Sequence, residues 1–365
     1  MTDQSAPALK DIFNLERLQH IASETRAVCP AFDAEGFLEH ATAGLADLSV
    51  MQRVARVSES LHAVIPLDYP QSLKVLYALA PRLNSGFVSL FLPHYVASYG
   101  ADDFERSMAA LKYFTTFGSA EFAIRHFLQR DFKRTLAVMH EWSQDENEHV
   151  RRLASEGSRP RLPWSFRLAE VQADPSLCAT LLDNLKADTS LYVRKSVANH
   201  LNDITKDHPD WVLGLIESWS LDNPHTAWIA RHALRSLIKQ GNNRALAIMG
   251  AGARAEVNIH GLSVTPAAIR IGERINLSFS LESTSEHAQK LVVDYAIDYV
   301  KSAGHSAAKV FKLKAFNLGA GETHRIRREQ HIRELTTRKH YPGTHAVHVL
   351  VNGERLASAA FELLP

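Results

Sequence analysis

Three segments of the chain repeat one pattern. "DENEHVRRLA" begins at Asp145, "DTSLYVRKSVA" at Asp188 and "DNPHTAWIARHAL" at Asp222. Each opens on an Asp-led turn, leaves a short gap, then gives an aliphatic residue followed by a basic pair or near-pair. Arg151/Arg152, Arg194/Lys195 and Arg231/His232 fall at successive separations of 43 and 37 residues. An apolar helical stretch precedes each: "FKRTLAVMHEW", "SLCATLLDNLK" and "DWVLGLIESW". "AEFAIRHFL", from Ala120, reads as an earlier member. One helix pair cannot bury its own apolar face, but a stack of such pairs can, so the period points to an α-solenoid.

The first 250 or so residues carry helical spacing throughout, clearest in "SVMQRVARVSESLHAVI" and "DWVLGLIESWSL". The unit is the helix–turn–helix of HEAT-like repeats. Near residue 255 the pattern changes. "RINLSFSLES" alternates Ile275, Leu277, Phe279 and Leu281 with polar neighbours, and "LVVDYAIDYV", "KVFKLKAFNL" and "HAVHVLV" are strand-like. Asn352-Gly353 is a two-residue hairpin signal. About seven short strands fit an immunoglobulin-like β-sandwich. The fold expected is mainly α: a HEAT-like-repeat α-solenoid over 1–254, followed by a β-sandwich domain over 255–365, with "GNNRALAIMGAGARA" as the junction.

Net charge is +1 over 365 residues, but it is unevenly placed. Residues 1–254 hold 27 Lys+Arg against 29 Asp+Glu, and 255–365 hold 14 against 11. The segment 305–340 has nine basic residues to three acidic, which suits a polyanionic partner. The two cysteines, Cys29 and Cys178, show no metal spacing and fit a reducing compartment. "MTDQSAPALKD" does not read as a secretory signal, and no apolar run spans a bilayer. The expectation is a cytoplasmic protein with no membrane partner and no metal.

Repeated basic residues can follow a phosphate backbone, each displaced counterion adding salt-dependent affinity. Arg151 and Arg194 have two readings of equal weight: phosphate contact, or an ion pair with the Asp of a neighbouring turn. Arg152, Lys195 and Arg159 are the better candidates to face outward, with Arg161 and Arg231 in the same role. In the C-terminal domain, Arg338 and Lys339 in "TTRKHYPG" suit a phosphate or minor-groove contact.

"VRRLASEGSRPRLPW" sets an acid, Glu156, in the last turn of a helix, where cations are favoured. It follows Arg152 by four, so an i,i+4 salt bridge is the plain reading. The alternative is a carboxylate fixed at the mouth of a cationic groove, able to stabilise developing positive charge. Asp203, in "VANHLNDITKD", lies one repeat later and one turn farther along that face. Glu121 opens the preceding helix, where an acid also simply complements the dipole. Trp164, in the loop after "RPRLP", can stack on a base, a sugar or an arginine, or merely cover a repeat edge. Phosphate-binding glycine loops, zinc-protease motifs and nucleophile elbows are absent.

"DENEHVRRLASEGSRPRLPW", "DTSLYVRKSVANHLND" and "NPHTAWIARHALR" resemble the HEAT-like-repeat DNA glycosylases of the AlkC/AlkD superfamily, and within it the AlkC group. Some AlkC proteins carry an added immunoglobulin-like domain, which 255–365 resembles. The resemblance implies a cofactor-free, monofunctional N-glycosyl hydrolase of base excision repair. It implies excision of cationic alkylated bases, chiefly 3-methyladenine and also 3-methylcytosine, from duplex DNA without base flipping. A monomer acting on alkylated double-stranded DNA in the bacterial cytosol, held at the nucleoid through that DNA, is expected. By motif position, Glu156 and Trp164 carry over as catalytic residues, with Glu121 and Asp203 as neighbouring-repeat acids. The AlkD pattern has an aspartate between tryptophans where this chain has Glu156 on the loop side. A non-catalytic HEAT-repeat DNA-binding or protein-interaction scaffold is the alternative.

Overall fold

The structure, a computed structural model, describes residues 9–251, 255–302, 304–334 and 339–365. It divides into two compact units: Met1–His208 with Trp219–Ala233, and Pro209–Ser218 with Leu234–Pro365. The unit that holds the strands therefore also takes in helices that precede the composition change near residue 255.

The chain begins with α1 (Leu15–Val28), α2 (Ala34–Thr42), α3 (Val50–Val64), α4 (Tyr69–Leu79), α5 (Phe91–Tyr99) and α6 (Phe104–Phe114). Next come α7 (Glu121–Arg130), α8 (Phe132–Trp142), α9 (Glu148–Gly157), α10 (Ala169–Ala173), α11 (Ala179–Leu185) and α12 (Leu191–Ile204). Of the last four, α14 (Pro224–Ala233) belongs to the first unit. The second unit holds α13 (Pro209–Glu217), α15 (Arg235–Lys239) and α16 (Asn243–Ile248). Asx side chains start many of them. Asn14, Asp33, Asp68, Asp103 and Asp131 each accept the backbone N–H three residues on, satisfying a donor that the first turn leaves open.

The Asp-led turns of the repeats have a double use. Asp145 accepts the Asn147 N–H and pairs with Lys112 at 2.6 Å. Asp188 accepts the Ser190 N–H and takes Arg151 in a two-pronged bond, at 2.6 and 3.1 Å. Each aspartate thus shapes its own turn and ties it to the repeat before, so Arg151 belongs to the stack. Arg194 donates to the carbonyls of Asp188 and Thr189 and lies 5.6 Å from the Trp228 ring.

In the second unit the strands are β1 (Val257–Thr265), β2 (Ala268–Ile269), β3 (Arg274–Ser283) and β4 (Gln289–Val300), then β5 (Ser306–Leu318), β6 (Thr323–His331), β7 (Gly343–Val351) and β8 (Glu354–Leu363). They form a three-stranded sheet, β1-β3-β6, and a five-stranded sheet, β2-β8-β7-β4-β5. Ile275, Leu277, Phe279 and Leu281 of β3 meet Val293, Tyr295 and Ile297 of β4 in one core. The β7–β8 hairpin turns on Asn352 and Gly353, with φ of 47° and 81°, the left-handed pair that a tight hairpin needs.

Candidate active site

Three helices of the first unit bring three acids together. Glu121 is the first residue of α7, Glu156 the penultimate residue of α9, and Asp203 lies in the last turn of α12. Arg152 donates to both oxygens of Glu121 and to Ser119 Oγ at 2.8 Å, and lies 3.7 Å from Glu156. Arg159 donates to Glu156 Oε1 at 2.6 Å and to Asp203 Oδ2 at 2.9 Å. Ser196 donates to the other Glu156 oxygen at 2.6 Å, and Lys206 reaches Asp203 at 3.3 Å. The result is a ladder of alternating charge across three repeats, Glu121–Arg152–Glu156–Arg159–Asp203–Lys206.

Burial makes the ladder consequential. Glu156 is 6% exposed and Asp203 5%. Removing a charge from water is costly unless it is paired, and here every carboxylate has a guanidinium. Burial, with the Glu156 charge adding to it, holds the Glu121 carboxyl above the usual glutamate range, against the pull of Arg152. Tyr192 lies with its ring 4.9 Å from the Arg152 guanidinium, and burial raises its phenol, which stays a neutral donor.

The acid at a helix C-terminus is also explained. Beneath it lies Arg125, fully buried, whose guanidinium donates to the Gly157 and Arg159 carbonyls at 3.0 and 2.7 Å and to the Phe166 carbonyl. Those bonds cap the helix end and supply the positive charge it favours. Gly157 is required because a Cβ there would lie 2.5 Å from Ile124 of α7.

Glu121 and Glu156 open on a pocket of about 400 Å³, walled by Ser119, Phe122, Arg152, Arg159, Trp164 and Tyr192. Gly86 and Gly118 bring two loops together on this wall; a Cβ on Gly118 would stand 2.4 Å from the Gly86 carbonyl oxygen. Asp203 is not part of the wall and reaches the site through Arg159. Trp164 is 63% exposed with φ of +65°, a left-handed conformation that costs a bulky residue about 1–3 kcal/mol.

The chain resembles known proteins along nearly its whole length. The model described as "DNA alkylation repair enzyme" matches residues 94–237, and "Uncharacterised protein YhaZ, C-terminal Ig-like domain" matches 258–365. The protein YhaZ of Bacillus subtilis (strain 168) is 41% identical over 97% of this chain and 99% of its own. The Pseudomonas fluorescens alkylpurine DNA glycosylase AlkC, solved bound to DNA containing an abasic site analog, is 83% identical. That match covers 98% of this chain and 100% of the other, with a TM-score of 0.97. The chain belongs to the AlkC alkylpurine DNA glycosylases. The AlkC family is one of DNA alkylation repair, and the mainly α fold with an Ig-like C-terminal domain is the one the repeats and strands implied.

Against this AlkC framework the expected site residues fall into groups. Glu121, Glu156 and Asp203 come together, and Trp164 stands at the pocket mouth. Arg152 and Arg159 correct the expectation that they face outward: both turn inward, Arg152 onto Glu121 of α7 and Arg159 onto Glu156 and onto Asp203 of α12, so that acids drawn out of water keep a charged partner. The i,i+4 pairing of Arg152 with Glu156 is the long contact of the set; Arg159 is the close partner. Arg161 forms a forked bond with Asp207, at 2.6 and 3.1 Å. Lys195 and Arg231 are exposed and make no ion pair among the described residues. Lys339 is exposed, and Arg338 lies outside the described residues. Among the described residues no His, Cys, Asp or Glu cluster could hold a metal ion, and no helix is long and apolar enough to cross a membrane.

Sequence reasoning missed Ser196, Tyr192 and Arg125. Arg125 had a signal: "Ile124-Arg125" in "AEFAIRHFL" is the aliphatic–basic step of the repeat. Ser196 and Tyr192 had none, because their roles arise from packing between α9 and α12.

Proposed function

We propose that this chain excises cationic alkylated bases, chiefly 3-methyladenine and also 3-methylcytosine, from duplex DNA by hydrolysis of the N-glycosidic bond. The observation that carries the reading is the pair of buried Glu156 and largely buried Glu121, guanidinium-held and facing one pocket beside Trp164. A base alkylated at a ring nitrogen is a cation and leaves readily. Its C1′–N bond breaks with the electron pair on the departing base, which becomes neutral. The deoxyribose then carries oxocarbenium character, and a water adds to C1′ and gives up a proton.

A carboxylate beside the sugar stabilises that charge without reorganising, because Arg152, Arg159 and Ser196 have already fixed it. Glu156 has the better-defined geometry, and Glu121 lies across Arg152 from it. Asp203 acts through Arg159. Trp164 packs against the sugar-phosphate backbone from the loop side. The reading keeps the lesion in the duplex stack, so the charge is met at the sugar and not in a deep base pocket. Lys195 and Arg231 supply phosphate contacts, and the exposed arginines of β6, Arg325 and Arg327, with Lys339, supply others from the C-terminal unit. The protein works as a monomer.

The test is base release from methylated duplex DNA, with the liberated bases separated and identified. Release of 3-methyladenine ahead of 7-methylguanine is expected. A ladder serving only to stack repeats is the competing account. It requires that Glu156→Gln leave excision unchanged.

A further inference from the structure

We infer that Arg125 is a positioning residue for excision: it fixes both ends of the loop that presents Trp164 and Arg159 to the pocket. The inference deepens the glycosylase reading and rests on it.

The loop leaves α9 at Gly157 and returns at Phe166, and Arg125 bonds both feet. One nitrogen of its guanidinium donates to Gly157 and Arg159, the other to Phe166. The Phe166 ring also lies 5.3 Å from the guanidinium. Between these feet the backbone makes few bonds of its own. Ser165 N–H reaches the Leu162 carbonyl at 3.3 Å, and Leu168 N–H reaches Pro160 at 3.3 Å. Leu162 is buried, whereas Trp164 stands in solvent in a strained backbone conformation. A strained, exposed residue stays in one place only if the segment around it is held; Arg159 and Arg161 tie the near side of the loop to Asp203 and Asp207, and Arg125 is the side chain that joins its two feet.

Arg125 is also one helical turn after Glu121 on α7. One face of one helix therefore places an acid on the pocket and a fork under the opposite loop. The fork is kept at a cost: burial lowers the guanidinium to about 10, and its Nε has no acceptor among the described residues. A residue needed only to fill space would not be a cation. Lysine cannot replace it fully, since a single ammonium lacks the planar fork that spans three carbonyls.

Arg125→Met and Arg125→Lys should be compared with the unsubstituted full-length chain on methylated duplex DNA. Affinity is read on duplex DNA with an abasic-site analogue, and Trp164 emission by difference from matched Trp164→Phe proteins. The expected result is a kcat lowered about a hundredfold in Arg125→Met, the scale of a small misplacement of reacting groups. Affinity should change less than about threefold on that scale, Trp164 emission should shift, and lysine should recover part of the rate. Should the methionine variant fail to fold, the lysine variant alone decides, with a partial rate loss and a partial emission shift expected together. Native rate and native Trp164 emission in a folded variant overturn the proposal. So does a rate loss with unchanged Trp164 emission, which makes Arg125 a stability element only. If the unsubstituted chain releases no base, the glycosylase reading fails, and the Trp164 emission still reports whether Arg125 holds the loop.

Discussion

Arg159 lies between two acids 47 residues apart in sequence, 2.6 Å from Glu156 Oε1 on one side, with Asp203 on the other. That guanidinium, with Ser196 on the other oxygen, fixes which way the Glu156 carboxylate points. Glu156→Gln keeps the shape, and the amide oxygen can still accept from Arg159, so fold and DNA affinity should persist. Its loss of charge should lower excision by about 10²-fold or more, the scale of one missing electrostatic contact in a transition state. Single-turnover base release checks this, and a rate within threefold of the unsubstituted protein would sink the assignment. Asp203→Asn measured in parallel reports whether the two acids act as a unit.

Arg159→Ala should behave differently from an exposed arginine. Removing it takes the close partner from two buried carboxylates and leaves them the longer contacts of Arg152 and Lys206, so the loss should approach the about 3–5 kcal/mol of a broken buried pair. The melting temperature should fall sharply. Lys195→Ala and Arg231→Ala leave stability intact, and each should reduce the salt slope of DNA binding by about one unit. Equal salt slopes for those two variants and the unsubstituted chain would remove them from the DNA-binding surface.

The contrast shows what the sequence could and could not convey. The repeats were legible because Asp145, Asp188 and Asp222 recur with the same local chemistry, and a turn is a local event. The alternation of Ile275, Leu277, Phe279 and Leu281 was legible for the same reason. Glu156 stood out because it breaks a local rule, an acid at a helix end that favours cations. Arg152 and Arg159 were misjudged because spacing gives the face of a helix and not the partner across the gap. Arg159 in addition lies just past the helix, where periodicity says nothing. Arg125 carries the aliphatic–basic step of the repeat, but its three acceptors are backbone carbonyls 32 to 41 residues away, which no side-chain pattern announces.

Trp164 combines high exposure with a left-handed backbone, so its activity and stability effects should separate. Trp164→Ala should lower excision while leaving the melting temperature nearly unchanged. Trp164→Gly should lower excision as well, yet relieve strain and raise stability relative to alanine by about 1 kcal/mol. Calorimetry beside base-release assays checks both. A large fall in melting temperature for alanine would mean that the indole is packed and not presented.

The Glu121 carboxyl is held above the usual glutamate range by burial and by Glu156. As pH falls through that raised value, Glu121 gains a proton and Arg152 loses its ionic partner there. The acid limb of the excision rate should therefore lie at higher pH than an ordinary glutamate would set. The stability sign is opposite to that of a typical salt-bridged acid. In this window the folded state binds the proton better than the unfolded one, so the Glu121 contribution to stability decreases as pH rises. Glu121→Gln should remove that limb from the pH–rate profile. An unchanged acid limb in Glu121→Gln would assign it to another group.

The C-terminal unit should contribute to DNA binding through a basic surface on and near β6. Arg325 and Arg327 are exposed on either side of buried Ile326, and Lys339 is exposed after the strand. Alternating exposure on an edge strand is common by itself, so the clustering of charge over 305–340 is what gives the pattern weight. Truncation after Arg254 is a poor test. It would leave α15 and α16 without the unit they belong to, where Lys290 donates to the Met249 carbonyl at 2.6 Å and Gly241 lies against Gly353. Substitution in the full chain avoids that loss. Arg325→Ala with Arg327→Ala and Lys339→Ala should leave the melting temperature intact, since each side chain is solvated. Binding to undamaged and alkylated duplex should weaken alike, and the salt slope should fall by about one unit for each lost phosphate contact. Affinity and slope equal to those of the unsubstituted protein would mean that this basic surface does not bind DNA. The charge excess would then serve only as a solvated face of the sandwich.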